Sequence, residues 1–400
     1  MLQKRTLLSL ALASAFVAPV AHAEIAFDVI GGSEISFEGL LQADGNWFNN
    51  DIADLNGSAG INGKDSEFEL RRAEIVFKGK GPGAFNWVAG YDAKAKKWLD
   101  VNAKYTIGAN SNNFIQVGQY KQPHSLEELS STKNNDFIAK ASITNAMGIS
   151  RRLGIAAGMG DTNWSVVGSL FGKELTRNTT AGNGFGLRGT FAPINADGTV
   201  LHLGLSYIDR DAYGDSIRIR ARPLADLATV YLADTGAING VDRAKTTGLE
   251  GLFITGPFKV QAEYMMTKVK GITSARDFDT KGAYISGLWN VTGEGFGYKG
   301  GVPTTGLPDN PGKGMLQLGL RYDMLNLNDG NIVVTNNVPT AVGILGGEQK
   351  GWTLGANYYW RSNFKFSLNY NKITSSKFRA RVGEVDDNPS TVTARAQIYW

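Results

Sequence analysis

The chain of 400 residues has no cysteine and only three histidines. Without cysteine there is no disulfide framework, so stability must come from size and extensive backbone pairing. His22 falls in an N-terminal leader pattern, and His124 and His202 have no ligand partners nearby in sequence. A metal site therefore lacks the usual ligand spacing, and no cofactor is expected. Beyond residue 20 there is no long apolar run. Polar residues recur every second or third position and mean hydropathy is −0.19, which leaves no stretch fit to be a transmembrane helix. A long basic run is missing too, so nucleic acid is not an expected partner. No nucleophile–base pair and no catalytic pair of carboxylates emerges, and an enzyme is not expected.

What is present begins with an export address. Lys4 and Arg5 precede an apolar stretch over residues 7–20, broken by Ser9, Ser14 and Pro19, and Ala21-His22-Ala23 supplies a small-x-small cleavage pattern. Residues 1–23 read as a signal peptide, and 24–400 as one mature domain. The apolar stretch falls short of the roughly 20 residues that span a bilayer. Exported chains without such a helix are soluble or closed barrels, because only helices and closed barrels satisfy every backbone polar group in lipid.

The C-terminus favours the barrel. Val392, Ala394, Ala396, Ile398 and Trp400 alternate with Thr393, Arg395, Gln397 and Tyr399. This is the two-residue period of a strand with lipid on one side and water on the other, and a terminal aromatic resembles the assembly signal of outer-membrane proteins. The alternation recurs in Phe85, Trp87, Ala89, Tyr91 and Ala93, in Leu99, Val101, Ala103, Tyr105 and Ile107, and in Trp352, Leu354, Ala356, Tyr358 and Trp360. Aromatics gather near strand ends, as interfacial girdles require.

Linker lengths alternate in the same sense. Short links fall at 79–83, 109–112, 160–162, 195–198, 256–257 and 361–363, and long ones at 49–65, 122–147, 211–245, 328–348 and 374–387. Short turns on one side and long loops on the other predict an all-β, transmembrane antiparallel β-barrel of about 16 strands, both ends on the short-turn side, exported to the outer membrane. The link over 291–313 breaks the rule, which predicts either an extended turn or a further hairpin. A barrel of this size encloses water, so function should be legible in its lining.

Several basic residues have lumen parity. Arg72 and Lys78 fall on the polar face of the second strand, Lys94 and Lys96 on that of the third, and Lys104 on that of the fourth. A charge on the lipid face would cost about 2–4 kcal/mol at the bilayer midplane. Arg71 has the wrong parity and must sit above the lipid band or turn inward past a bulge. In the loop over 211–245, Arg218, Arg220 and Arg222 project from one edge if extended, about 6–7 Å apart. Three guanidiniums in a row could hand an oxyanion along; the competing reading is one solvated face of an outer-loop strand, in contact with lipopolysaccharide phosphates. The loop over 122–147, following Lys121, is longer than a hairpin needs. It could fold into the lumen, with Ser130 and Ser131 as hydroxyl donors, or stand outside with those serines at helix termini. Gly184-Phe185-Gly186-Leu187-Arg188-Gly189 fits GxGxxG, but within an alternating strand the motif carries no dinucleotide meaning.

The chain resembles the phosphate- and polyphosphate-selective porins typified by porins O and P. The likeness runs through Leu70-Arg71-Arg72-Ala73, Val117-Gly118-Gln119-Tyr120-Lys121-Gln122-Pro123 with Leu126-Glu127-Glu128, and Arg220-Ala221-Arg222-Pro223. It continues in Gly256-Pro257-Phe258, Gln261, Glu263-Tyr264, Thr292-Gly293-Glu294, Arg321-Tyr322, Leu325-Asn326-Leu327 and Asn357-Tyr358-Tyr359. The resemblance implies a homotrimer of about 16-stranded barrels, each narrowed by an in-folded third loop. It also implies an arginine ladder passing phosphate or polyphosphate to a basic constriction. On matching positions Arg218, Arg220 and Arg222 are rungs, and Arg71 and Arg72, with Ser130 and Ser131, belong to the constriction. Lys94, Lys104 and Lys121 complete the candidate anion-binding set.

Glu74, Glu127, Glu128 and Asp136 lie close to these positions and could either orient the cations or blunt anion preference. The mature chain is nearly neutral, at about +2 once Lys4 and Arg5 are removed. A general or differently selective diffusion porin, and a structural or adhesive surface barrel, are the competing expectations.

Overall fold

The computed structural model describes residues 25–29, 33–57, 65–176, 182–272 and 276–400. The expected leader over 1–23 lies outside them. One sheet of 18 strands dominates. Two of its members, Ile25–Val29 and Gly383–Asp387, are short segments that prolong the line of the last strand at either end. The other 16 are the staves of a closed antiparallel barrel.

In chain order the first eight are Ser33–Asn49, Ser66–Lys80, Phe85–Asp92, Lys97–Thr106, Phe114–Lys121, Arg151–Gly160, Trp164–Phe171 and Gly184–Ala196. The second eight are Thr199–Asp211, Val241–Thr255, Phe258–Gly271, Phe278–Asn290, Met315–Thr335, Val338–Trp360, Phe364–Arg379 and Ser390–Tyr399. Each pairs with the next, and the last closes on the first from Leu40↔Tyr399 to Asn49↔Ser390. Closure leaves no open edge, so the backbone of the wall pairs strand to strand all the way round.

Alternation decides which face meets lipid. Thr353 is 1% exposed and its neighbour Leu354 57%. On the last strand Thr391, Thr393, Arg395 and Gln397 are buried, while Ala396 points outward. Trp360 meets Phe364 with ring centroids 5.3 Å apart, and Phe258 stacks on Trp289 at 6.1 Å. Each such pair adds about 0.5–1.5 kcal/mol beyond its area, and both flank short turns, where a girdle belongs.

One open expectation is decided by the structure and two need correction. The link over 291–313 is an extended turn holding a small hairpin, Phe296–Lys299 with Val302–Thr305, and conceals no further staves. The links over 328–348 and 374–387 are largely strand. Met315–Thr335 and Val338–Trp360 run on past the wall and turn on Asn336 and Asn337, both with left-handed φ (51° and 61°). Asn tolerates that conformation, and Ile332, Val333 and Val334 favour the pleat. Lys94 and Lys96 are not on a strand face. The third stave stops at Asp92, whose carboxylate accepts the amides of Lys94 (3.0 Å) and Ala95 (3.1 Å) and so nucleates a turn.

Arg71 is the extra residue of a β-bulge. Gln42 faces Arg72 and Ala43 faces Leu70, so the register skips it. A bulge re-aims a side chain, and here the Arg71 guanidinium reaches a carboxylate carried by the loop over 212–240, at Asp226.

Candidate lumen site

Two long segments are fastened to lumen-parity side chains of the wall. In residues 122–147, the amides of Leu126 and Glu127 donate to Glu263 at 3.0 and 2.8 Å. The amide of Ile138 donates to Asn369 (2.7 Å), and that of Ser142 to Asp323 (2.7 Å). Lys259 pairs with Asp136 at 2.6 Å, Lys365 donates to the carbonyl of Asn135 (2.6 Å), and Gln397 donates to that of Lys133 (2.9 Å). The segment thus touches strands far apart around the barrel. Gly282 makes room for it: a Cβ there would lie 2.3 Å from Ile143 Cγ2.

The segment over 212–240 packs against the first. Ile217, Ile219 and Ala221 share an apolar cluster with Ala141, Ile143 and Met147. Short bridges, Ser216–Ile217 to Ile238–Asn239 and Arg220–Ala221 to Ala233–Asp234, keep the chain extended. Alternation then sends Arg218, Arg220 and Arg222 to the opposite side from those buried apolar residues. The three arginines line one cavity of about 250 Å³ with Asn145, Ala146, Asp226 and Tyr231.

The rungs differ in how far their donors are already used. Arg218 is held by Asp234 through Nε at 2.8 Å and NH2 at 2.5 Å. Arg222 donates Nε to the carbonyl of Ala228 at 2.7 Å. Arg220 lies over the Tyr231 ring at 4.0 Å and makes no ion pair among the described residues. Its fork is open, and Arg222, 5.1 Å from the same ring, has committed Nε alone.

Asp226 joins this cavity to a second cluster, on the wall. Its carboxylate is 3.3 Å from Arg71 and 3.7 Å from Arg395. Arg395 is held in turn by Asp44 at 2.7 and 2.6 Å, and Arg72 pairs with Glu74 at 3.4 Å. Burial by itself would raise the Asp226 pKa, but Arg71, Arg395, Arg72 and Arg222 outweigh it and hold the carboxyl below its usual range. Asp226 is therefore charged at neutral pH.

The remaining candidates are placed as follows. Lys121 donates to the carbonyls of Glu128 (2.6 Å) and Ser130 (2.9 Å), tying down the segment that follows it. Ser130 ends the helix Leu126–Leu129 and donates its hydroxyl to the Leu126 carbonyl at 2.8 Å. Ser131 precedes the short 3-10 helix Thr132–Asn134. Both serines occupy helix termini. Lys94 pairs with Glu69 at 2.8 Å, both partly exposed. Lys104 sits 3.8 Å from the Phe114 ring centroid and lines a separate cavity of about 250 Å³ with Lys78 and Lys80.

The neighbouring carboxylates orient cations. Glu74 meets Arg72, Glu127 meets Arg321 at 3.4 Å, Asp136 meets Lys259 and Glu128 meets Lys140. Arg188, in the glycine motif, is a buried strand residue. Its Nε and NH2 donate to Glu250 at 3.0 and 2.7 Å, and NH2 also donates to the carbonyl of Gly301 in the extended turn (2.8 Å). Sequence reasoning missed Arg395, Arg321, Lys259, Lys365 and Asp226. The first four sit on lumen parity of well-marked strands, and that signal was available. Asp226 had none.

His124 gives the loop over 122–147 a pH response. It is fully buried, with Nδ1 2.9 Å from the Ser206 hydroxyl and Nε2 without a hydrogen-bond partner among the described residues. Burial lowers its pKa from the ordinary 6.5 to about 4. A depressed pKa means the packed loop favours the neutral ring. That stabilisation is whole above about pH 6.5 and is lost as pH falls towards 4, by up to about 3 kcal/mol. Denaturant midpoints of the folded barrel should fall over this interval, and His124→Gln should flatten the dependence. An identical slope in the variant would assign the response to other groups.

A closed 16-stave barrel with apolar residues outside and charged pairs inside is the architecture of an outer-membrane porin. Solved structures agree in fold. OmpT, an outer membrane protein of Vibrio cholerae, superposes with TM-score 0.59 at 10% identity, covering 95% of this chain and 100% of that one. An anion-selective porin from Comamonas acidovorans gives 0.55 at 12% identity, over 92% and 100%. The family model described as phosphate-selective porin O and P matches residues 41–400, and the chain belongs to that family. Porin O of Pseudomonas aeruginosa is 31% identical over 236 residues, 54% of this chain and 53% of that protein. An uncharacterized protein of Caulobacter vibrioides is 29% identical over 76% of this chain and 62% of its own length. The matched regions thus span between half and two thirds of these relatives.

Proposed function

We propose that the barrel conducts anions passively across the outer membrane and prefers phosphate-like oxyanions, phosphate or polyphosphate. The observation that carries this is the shared cavity of Arg218, Arg220 and Arg222, which meets the wall arginines Arg71, Arg72 and Arg395 at Asp226. A guanidinium fork matches a pair of phosphate oxygens. Successive forks let an anion take a new partner before leaving the last, which combines attraction with escape. In this reading the segment over 122–147 narrows the pore, and Lys78, Lys80 and Lys104 receive the anion near the short-turn side. The protein works as a homotrimer, with its aromatic girdles at the lipid headgroups and its outer loops beside lipopolysaccharide.

A second reading, a general diffusion pore, draws on the neutralised cations: Arg218, Arg395 and Arg188 each hold a carboxylate within 2.7 Å. Planar-bilayer recordings separate the two. In a potassium chloride gradient the reversal potential should show anion preference, and phosphate titrated into the chloride current should reduce it saturably. Cation preference without phosphate block would overturn the oxyanion reading.

A further inference from the structure

The carboxylate of Asp226 stands where a permeating anion would meet the wall arginines. It belongs to residues 222–232, an arch between the bridges Arg220–Ala221 and Ala233–Asp234. Leu224, Ala225 and Ala228 fasten the arch in an apolar cluster with Phe48 and Ile373. Leu224 packs over Gly351, where a Cβ would lie 2.5 Å from its Cδ1. The arch is thus held by apolar contact and by the Thr229 amide, which donates to the Leu55 carbonyl at 2.9 Å, ties that do not involve the Asp226 carboxylate.

The contacts of Asp226 are long for charge-assisted bonds, which normally run about 2.7–2.9 Å. Arg71 is at 3.3 Å and Arg395 at 3.7 Å, whereas Asp44 holds the same Arg395 at 2.6 Å. Beside them, Arg72 Nε is buried without a hydrogen-bond partner among the described residues. Donors at this point outnumber what Asp226 satisfies. Asp44 and Glu74 already neutralise Arg395 and Arg72, so Asp226 is the carboxylate that answers Arg71.

We propose that Asp226 is a tethered competitor: it occupies the anion position at Arg71 and Arg395, is displaced by permeating oxyanions, and thereby sets how strongly the pore binds them. The phosphate side of this rests on the oxyanion reading above; its effect on charge selectivity does not.

The full-length barrel carrying Asp226→Asn tests it in planar bilayers. The reversal potential in potassium chloride should move towards chloride, and the phosphate concentration giving half block should fall about tenfold, equivalent to about 1.4 kcal/mol. Asp226→Glu should stay near wild type. The chain has no cysteine, so Asp226→Cys allows a second measurement. Modification by a sulfonate-bearing methanethiosulfonate returns a negative charge and should restore wild-type selectivity, and phosphate should slow the modification. If wild type is blocked by phosphate and Asp226→Asn matches it in both block and reversal potential, the competitor is overturned. Equal behaviour of Asn and Glu overturns it too. If wild type shows no phosphate block but Asp226→Asn still moves towards chloride, the oxyanion reading falls and Asp226 stands as a competitor of chloride.

Discussion

Arg220→Ala is expected to weaken phosphate block of the chloride current by about tenfold to a hundredfold, with little change in open-pore conductance. Charge-assisted hydrogen bonds are worth about 1.5–3 kcal/mol, and each 1.4 kcal/mol is a factor of about ten. Arg220 should show the full effect because its guanidinium faces the cavity over Tyr231 without an ion-pair partner among the described residues. Arg218→Ala should do less, since Asp234 already takes two of its donors and would remain as a repelling charge. Conductance should change little because the backbone bridge at Arg220–Ala221 survives truncation. Single-channel titrations of the two variants and wild type decide the matter. An unchanged block in Arg220→Ala would remove that residue from the path.

Arg188→Met should destabilise the wall by about 3–5 kcal/mol, because it strands Glu250 as a buried charge. Arg188 and Glu250 are 4% and 5% exposed, so water cannot readily replace the lost partner. The nearest relief is His202, whose Nε2 is 3.4 Å from Glu250 while Nδ1 contacts the Tyr298 hydroxyl at 2.7 Å. The substitution also releases the Gly301 carbonyl, loosening the small hairpin inside the extended turn. Denaturant unfolding of the refolded barrel measures the cost. Adding Glu250→Leu should recover most of it, because removing both charges is far cheaper than removing one. A double variant as unstable as the single would place the effect in packing and not in the uncompensated carboxylate.

These two arginines mark what could be read from the chain. The period-two alternation, the terminal aromatic strand and the short-turn, long-link asymmetry predict an all-β barrel of about 16 staves, and the structure closes 16. These signals are local: lipid on one face and water on the other impose themselves on every second residue, wherever the strand lies. For the same reason the lumen parity of Arg72, Lys104, Arg188 and Arg395 was legible, and that of Arg321, Lys259 and Lys365 could have been.

Local patterning misjudged the ends of strands. The Asp92 turn cut the third stave short of Lys94 and Lys96, and the Asn336-Asn337 turn carried two strands beyond the expected loop boundary. Boundaries depend on a few turn residues and not on a period.

The sequence by itself determined the wall, because its pattern is a response to solvent repeated along every strand. Only the tertiary structure decided what stands inside that wall. Which carboxylate answers Arg71, which rung keeps an open fork, and how residues 122–147 and 212–240 share one apolar cluster all depend on contacts between residues far apart in the chain. No alternation records such contacts. Asp226 and Arg395 are 169 positions apart in the numbering and 3.7 Å apart in space, and the Arg71 bulge that completes their cluster is a one-residue slip that pattern alone left with two outcomes.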